Sequence, residues 1–164
     1  MARIREDQPL LPSVLDRLLD DEPEKRAEAP KSRSQVLREL KLSVRRDLEN
    51  LLNTRWRCLP WPAHLPELDT SLVSYGVPDF AGGHMGAPSD RERLRRIIEQ
   101  AIRKFEPRFQ KVRVTLLENA DAADRAVRFR IDALLHAEPA PEPVVFDSQF
   151  EPATNDFVVT QPTR

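Results

Sequence analysis

Cysteine is almost absent from this chain, because Cys58 is its single cysteine in 164 residues. An intrachain disulfide and a cysteine zinc cluster are therefore excluded. Histidine is also scarce, and His64, His84 and His136 lack the helical spacing that places two ligands on one metal ion. The sequence therefore predicts no metal site.

Glycine occurs four times, and three of these glycines fall within residues 81–86. That stretch, AGGHMG, lacks the following lysine and the preceding strand of a phosphate-binding loop, so we predict no cofactor. We also predict no catalytic residue. One enzymatic alternative stays open, because carboxylates are plentiful enough to supply a glycosidase pair. Glu106, between Phe105 and Pro107 at a helix end, is the candidate general acid. That alternative is a muramidase-like glycoside hydrolase acting on peptidoglycan.

Neither charge sign dominates, since 26 Lys and Arg face 27 Asp and Glu for a net charge of -1. This balance gives no general attraction to nucleic acid or to an anionic membrane. No apolar run approaches the roughly 20 residues that cross a bilayer. The first residues also lack the apolar segment of a signal peptide. We therefore expect a cytoplasmic protein with no nucleic-acid partner and no direct membrane insertion.

Proline, in contrast, is abundant at 15 residues and predicts extended arms and connections. Residues 1–33 are expected to form a flexible N-terminal arm with a short helix at 13–20. Residues 20–33 contain no large apolar side chain and should be a linker. Residues 34–164 are expected to form a single domain.

The strongest helical pattern runs from about residue 34 to residue 53. Asp47 lies at the edge of its apolar face, and Arg55 would lie near the middle if the helix continued that far. Both should meet partners, because unpaired buried charge is costly. Glu49 and Asn53 project from the opposite side. The apolar face consists of Val36, Leu37, Leu40, Val44, Leu48, Leu51 and Leu52.

Residues 90–105 form a second amphipathic pattern. The capping box Ser89–Glu92 should open this helix, and Pro107 should end it. Alternating apolar residues then predict strands in KVRVTLLEN and RAVRFRIDALLH. Two further short strands are predicted in PVVFDSQF and NDFVVT. Helices followed by strands indicate an α+β domain, with N-terminal helices packed on a small, mainly antiparallel sheet formed by the C-terminal half.

Four blocks of the sequence together resemble one family. They are SVLDRL at 13–18, VRRDLENLLNTR at 44–55, SYGVPDF at 74–80 and FEPRF at 105–109. In this order and spacing they are similar to the TssE family, the baseplate subunits of bacterial type VI secretion systems. The wider family includes the lysozyme-like wedge protein of contractile phage tails. The motif positions Asp47, Glu49, Asn53 and Arg55 are expected to be structural.

The resemblance implies a structural baseplate subunit that binds partner proteins. Its implied partners are the TssF–TssG wedge complex and the TssB–TssC sheath, with TssK as a further baseplate neighbour. It implies a baseplate docked to the inner-membrane complex, and a docking role for Glu106, Pro107 and Arg108. The terminal strand, with Phe157, Val158 and Val159, would offer a sheet edge that templates the first sheath ring. A strand that only completes the core is the open alternative.

Overall fold

The computed structural model describes residues 14–18, 24, 32–56, 62, 64–80, 87–119, 124–137 and 140–162. Most of the predicted arm, Cys58, and the glycine-containing stretch 81–86 lie outside the described residues. The first helix, α1, is Val14–Leu18, within the predicted 13–20.

The long helix α2 spans Arg33–Asn53. Its start is set by a capping box that the sequence analysis did not identify. The Gln35 N–H donates to the Ser32 hydroxyl at 3.4 Å, and the Ser32 N–H donates to the Gln35 side-chain oxygen at 2.8 Å. These bonds satisfy donors that the first helical turn leaves free. One face of α2 is buried, with Leu40, Ser43, Val44, Leu48, Leu51 and Leu52.

Helix α3 spans Pro88–Phe105, and its predicted capping box is wrong. Ala87 is the N-cap, without a side-chain cap, and Pro88 is at the first helical position. Proline is favoured there because its fixed φ suits the helix and its missing N–H would have no partner anyway. Ser89 therefore lies inside the helix. Two 3₁₀ helices, Pro66–Thr70 and Leu72–Ser74, precede α3.

Four antiparallel strands form one sheet in sequence order: β1 Phe109–Leu117, β2 Val127–Leu135, β3 Glu142–Glu151 and β4 Asp156–Thr160. Buried and exposed residues alternate along β2, as expected for a sheet with one solvated face. The buried face packs with α2 and α3 in one hydrophobic core. The α+β prediction is confirmed.

Candidate functional site

A corner of three residues, Glu106, Pro107 and Arg108, joins the end of α3 to the start of β1. The Glu106 N–H donates to the Ile102 carbonyl at 2.9 Å, and the Phe109 N–H donates to the Glu106 carbonyl at 3.2 Å. Pro107 is exposed, and its ring fixes the backbone φ between the two charged residues. The backbone therefore sets the relative orientation of their side chains.

Glu106 and Arg108 form a bidentate ion pair. Arg108 Nε donates to Glu106 Oε1 at 2.7 Å, and Arg108 Nη2 donates to Glu106 Oε2 at 2.5 Å. The Arg108 backbone N–H donates to the same Oε1 at 3.1 Å. Glu106 is only 5% exposed, so its charge depends on Arg108 for compensation.

Arg108 also connects the corner to α2. Its Nη2 donates to Asp47 Oδ2 at 2.7 Å, and its Nη1 donates to the Ser43 hydroxyl at 3.3 Å. Burial alone would lower the pKa of the Arg108 guanidinium, but the hydrogen bonds and charges of Glu106 and Asp47 outweigh it and raise that pKa. The guanidinium therefore remains a cation between two carboxylates.

The same contacts extend to α1 through Asp16. The Ser43 hydroxyl donates to Asp16 Oδ2 at 2.6 Å, and Arg46 Nη2 donates to Asp16 Oδ1 at 2.7 Å. Arg46 also pairs with Asp47 at 3.2 Å. Helices α1 and α2 and the α3–β1 corner thus meet in one set of polar contacts. We call it the corner network: Asp16, Ser43, Arg46, Asp47, Glu106 and Arg108.

An open groove of about 440 Å³ lies beside the corner network. Asp47, Pro107 and Arg108 line it together with Tyr75 and Phe105. The two aromatic rings meet edge to face, with 5.2 Å between their centroids. Burial raises the pKa of the Tyr75 hydroxyl, and the charges of nearby carboxylates add to this shift. The groove is therefore lined by both aromatic and charged side chains.

At the C-terminal end of α2, Asn53 binds the outer edge of β4. Its Nδ2 donates to the Phe157 carbonyl at 2.8 Å, and its Oδ1 accepts from the Phe157 N–H at 2.8 Å. Arg45, which also pairs with Glu49 at 2.9 Å, donates to the Val159 carbonyl at 3.1 Å. Arg45, Glu49 and Asn53, at i, i+4 and i+8, lie along one side of α2. Asn53 was expected on the side away from the core, and that side faces β4.

We expect Asn53→Ala to speed hydrogen exchange of the Phe157 amide, because that N–H loses its acceptor. Amide exchange measured by NMR tests this. Asn50→Ala, an exposed change on the same helix, should leave the Phe157 rate unchanged. Equal rates in both variants would show that the Asn53 contact does not protect β4 in solution.

Helix α3 covers the other edge of the sheet in the same manner. Arg95 Nη1 donates to the Val114 carbonyl at 3.1 Å, and Glu99 Oε2 accepts from the Val114 N–H at 3.0 Å. Arg103 donates to the Val112 carbonyl at 3.1 Å. Glu99 also pairs with both arginines, at 2.8 and 2.6 Å. Side chains at i, i+4 and i+8 of one helix therefore stand where a further strand would bind.

The pKa of Glu92, one turn before this row, provides a direct test of the electrostatics of the row. Hydrogen bonds from Arg95 and then Arg96 lower the pKa of the Glu92 carboxyl from 4.5 to about 2. Because the pKa is lowered, the stabilising pairs are present above pH 4.5 and are lost as the pH falls through 2. Side-chain carbon shifts measured by NMR should give that midpoint. Arg95→Ala should raise it, whereas Arg93→Ala should leave it in place.

A third junction joins the 44–55 motif to the 74–80 motif and to the β3–β4 turn. The Val77 N–H donates to the Thr54 carbonyl at 2.9 Å, which gives the isolated parallel bridge between Arg55 and Val77. Arg55 donates to the carbonyls of Leu52 and Asn155. Its guanidinium lies 5.7 Å from the centre of the Phe157 ring. Two blocks of the sequence resemblance are therefore in direct contact.

Across the part of the chain that the structure describes, no three His, Cys, Asp or Glu side chains lie close enough together to hold a metal ion. None of the described helices is long and apolar enough to cross a membrane.

Many of these contacts lie within one segment of the chain that matches a known family. Residues 38–140 match the family described as "Baseplate wedge protein gp25". The chain belongs to this baseplate wedge family. The matched residues include the α3–β1 corner, the α3 row along β1 and most of α2. The family is a structural component of baseplates.

Among solved structures, the chain is similar to one from "The baseplate complex from the type VI secretion system". The two share 22% identity, the match covers 70% of this chain and 93% of that one, and the TM-score is 0.45. No curated protein matches the chain.

The residues expected to bind partners do not form one surface on this wedge-family chain. Glu106, Pro107 and Arg108 are at the start of β1, whereas the other three are in β4, at the opposite edge of the sheet. Phe157 and Val159 are buried, and Val158 is 51% exposed. Asp16 and the α3 row were not predicted to take part in these contacts. The i, i+4, i+8 spacing of Arg95, Glu99 and Arg103 was the available signal.

Proposed function

We propose that this protein is a structural, non-catalytic subunit of a type VI secretion baseplate. The match of residues 38–140 to the baseplate wedge family carries the proposal. The four TssE-like blocks select the type VI system over a phage tail. In this proposal the protein is cytoplasmic and belongs to a baseplate docked to the inner-membrane complex.

The proposed wedge partner is the TssF–TssG complex, with TssK as a further neighbour. A tagged copy expressed in a bacterium with such a secretion system should co-purify TssF and TssG homologues. The corner of Glu106, Pro107 and Arg108, with its groove, is the proposed docking site, since a rigid corner loses little entropy on binding. Pro107→Ala changes its exposed residue without removing the buried ion pair. Wild-type recovery of the wedge complex by this variant would argue against docking at Pro107.

We further propose that β4 contacts the TssB–TssC sheath and templates its first ring. A strand added to the outer edge of β4 must displace Asn53 and Arg45, so templating includes the release of these side chains. Val158→Asp alters the exposed side chain of β4 while Phe157 and Val159 stay buried. We expect a folded protein that enters the wedge but starts fewer sheaths, counted with a fluorescent sheath subunit.

The matched control is Val145→Asp, since Val145 is 37% exposed on the neighbouring β3. It should leave the number of sheaths unchanged. Normal sheath assembly with Val158→Asp would contradict the part proposed for this residue. The enzymatic alternative is tested separately by peptidoglycan release. Cell-wall clearing by purified protein, abolished by Glu106→Gln, would overturn the structural function.

A further inference from the structure

Three exposed cations, Arg103 of α3 and Lys111 and Arg113 of β1, lie together at the β1 edge of the sheet. We call them the β1 ridge. Two open grooves of about 640 Å³ and 500 Å³ meet there, and both are lined by Arg103 and Arg113. Leu116 lines the first groove and Leu134 the second. The ridge therefore has charge along its length and apolar contact area on both sides.

The charge of the β1 ridge is only partly compensated. Arg103 pairs with Glu99 at 2.6 Å. Lys111 and Arg113 form no ion pair within the described residues, although most described arginines near them do. Three cations and one carboxylate, that of Asp132, line the second groove. An anionic partner would therefore find two cations, Lys111 and Arg113, that no carboxylate among the described residues already pairs with.

The backbone groups of β1 at this edge, unlike the ridge side chains, are already hydrogen-bonded. Side chains of α3 hold the Val112 carbonyl and both the N–H and the carbonyl of Val114. A strand cannot pair with these groups unless the α3 row moves away. Recognition at the β1 ridge therefore depends on side-chain charge and not on strand addition.

The other half of the sheet carries no cation of its own. Residues 140–162 contain four carboxylates and no lysine or arginine. Two of these carboxylates, those of Glu142 and Asp147, pair with Lys41 and Arg130. An acidic partner would therefore find unpaired cations at the β1 ridge and none within residues 140–162. We propose that the β1 ridge is a docking surface for an acidic segment of another protein. This inference is independent of the proposed assembly and of its named partners.

The test is a fluorescence anisotropy titration of the full chain with a labelled, glutamate-rich peptide. We expect binding at low salt that weakens as salt rises, because the ion pairs are exposed. The double variant Lys111→Glu, Arg113→Glu should bind about tenfold more weakly, or worse. The control Arg38→Glu, Arg93→Glu makes the same charge change at two exposed positions outside both grooves. It should bind within about twofold of wild type.

Circular dichroism melting would show whether each variant is folded. If the Lys111→Glu, Arg113→Glu variant is not folded, Lys111→Gln, Arg113→Gln takes its place. The glutamine variant should also bind more weakly than wild type. No binding by wild type, or equal loss in the control, would overturn the proposal. It would also fail if single-stranded DNA bound more tightly than the peptide with the same dependence on Lys111 and Arg113. Salt-sensitive self-association lost in the ridge variant would instead assign the surface to a second copy of this chain.

Discussion

Gly76→Ala is expected to lower the free energy of unfolding by about 3–5 kcal/mol and the melting temperature by roughly 10 °C or more. Gly76 has a φ of +106°, a backbone conformation that residues with a side chain rarely adopt. A Cβ there would lie 2.2 Å from the Thr54 carbonyl oxygen. That oxygen is itself bound by the Val77 N–H, so the clash falls on the bridge between the two motifs.

Thermal and denaturant unfolding measure this effect. The control is Leu72→Ala in the same segment, whose side chain is 86% exposed and which should change stability little. If Gly76→Ala unfolded at the wild-type denaturant midpoint, the bridge between residues 54–56 and 77 would not be needed for the fold.

Arg108→Ala should be the other severely destabilising change, at about 3–5 kcal/mol, because it leaves a buried charge unpaired. The charge is that of Glu106, which is 5% exposed and accepts from Arg108 through both carboxylate oxygens. Asp47 and Ser43 lose a hydrogen-bond partner at the same time. Urea unfolding of the variant gives the magnitude. Arg128→Ala, which removes a 45% exposed side chain from an ion pair, should change stability little.

A double variant separates buried charge from lost packing. Glu106→Leu with Arg108→Met removes both charges, so it should be more stable than Arg108→Ala alone. Equal stability of the double variant and Arg108→Ala would mean that the unpaired carboxylate does not cause the destabilisation.

Binding of the TssF–TssG complex per folded molecule then tests docking. Intact binding by Arg108→Ala would leave the corner with a purely internal role.

The corner network shows where prediction from sequence ended. The apolar spacing placed Asp47 at the edge of the buried face of α2, and its contact with Arg108 agrees with that position. The sequence offered no means of pairing residues 61 positions apart. Asp16 was further out of reach, because a short helix followed by a polar linker gives no indication of where it packs.

The two sheet edges show the same limit. The sequence predicted all four strands, and it predicted β4 after a short polar segment near the end of the chain. The sequence favoured an open edge at β4 as much as a core strand. In the structure part of that edge is covered, because Asn53 bonds both the N–H and the carbonyl of Phe157.

Apolar periodicity and proline positions act within a few residues, so they predicted the two long helices, the four strands, their order and the α+β class. The four blocks of the sequence also pointed to the family that the comparison shows. Which charged side chains meet, and which backbone edges are covered, depends on how the elements pack. Those contacts join residues far apart in the chain, and they form only when α2 and α3 pack on the sheet.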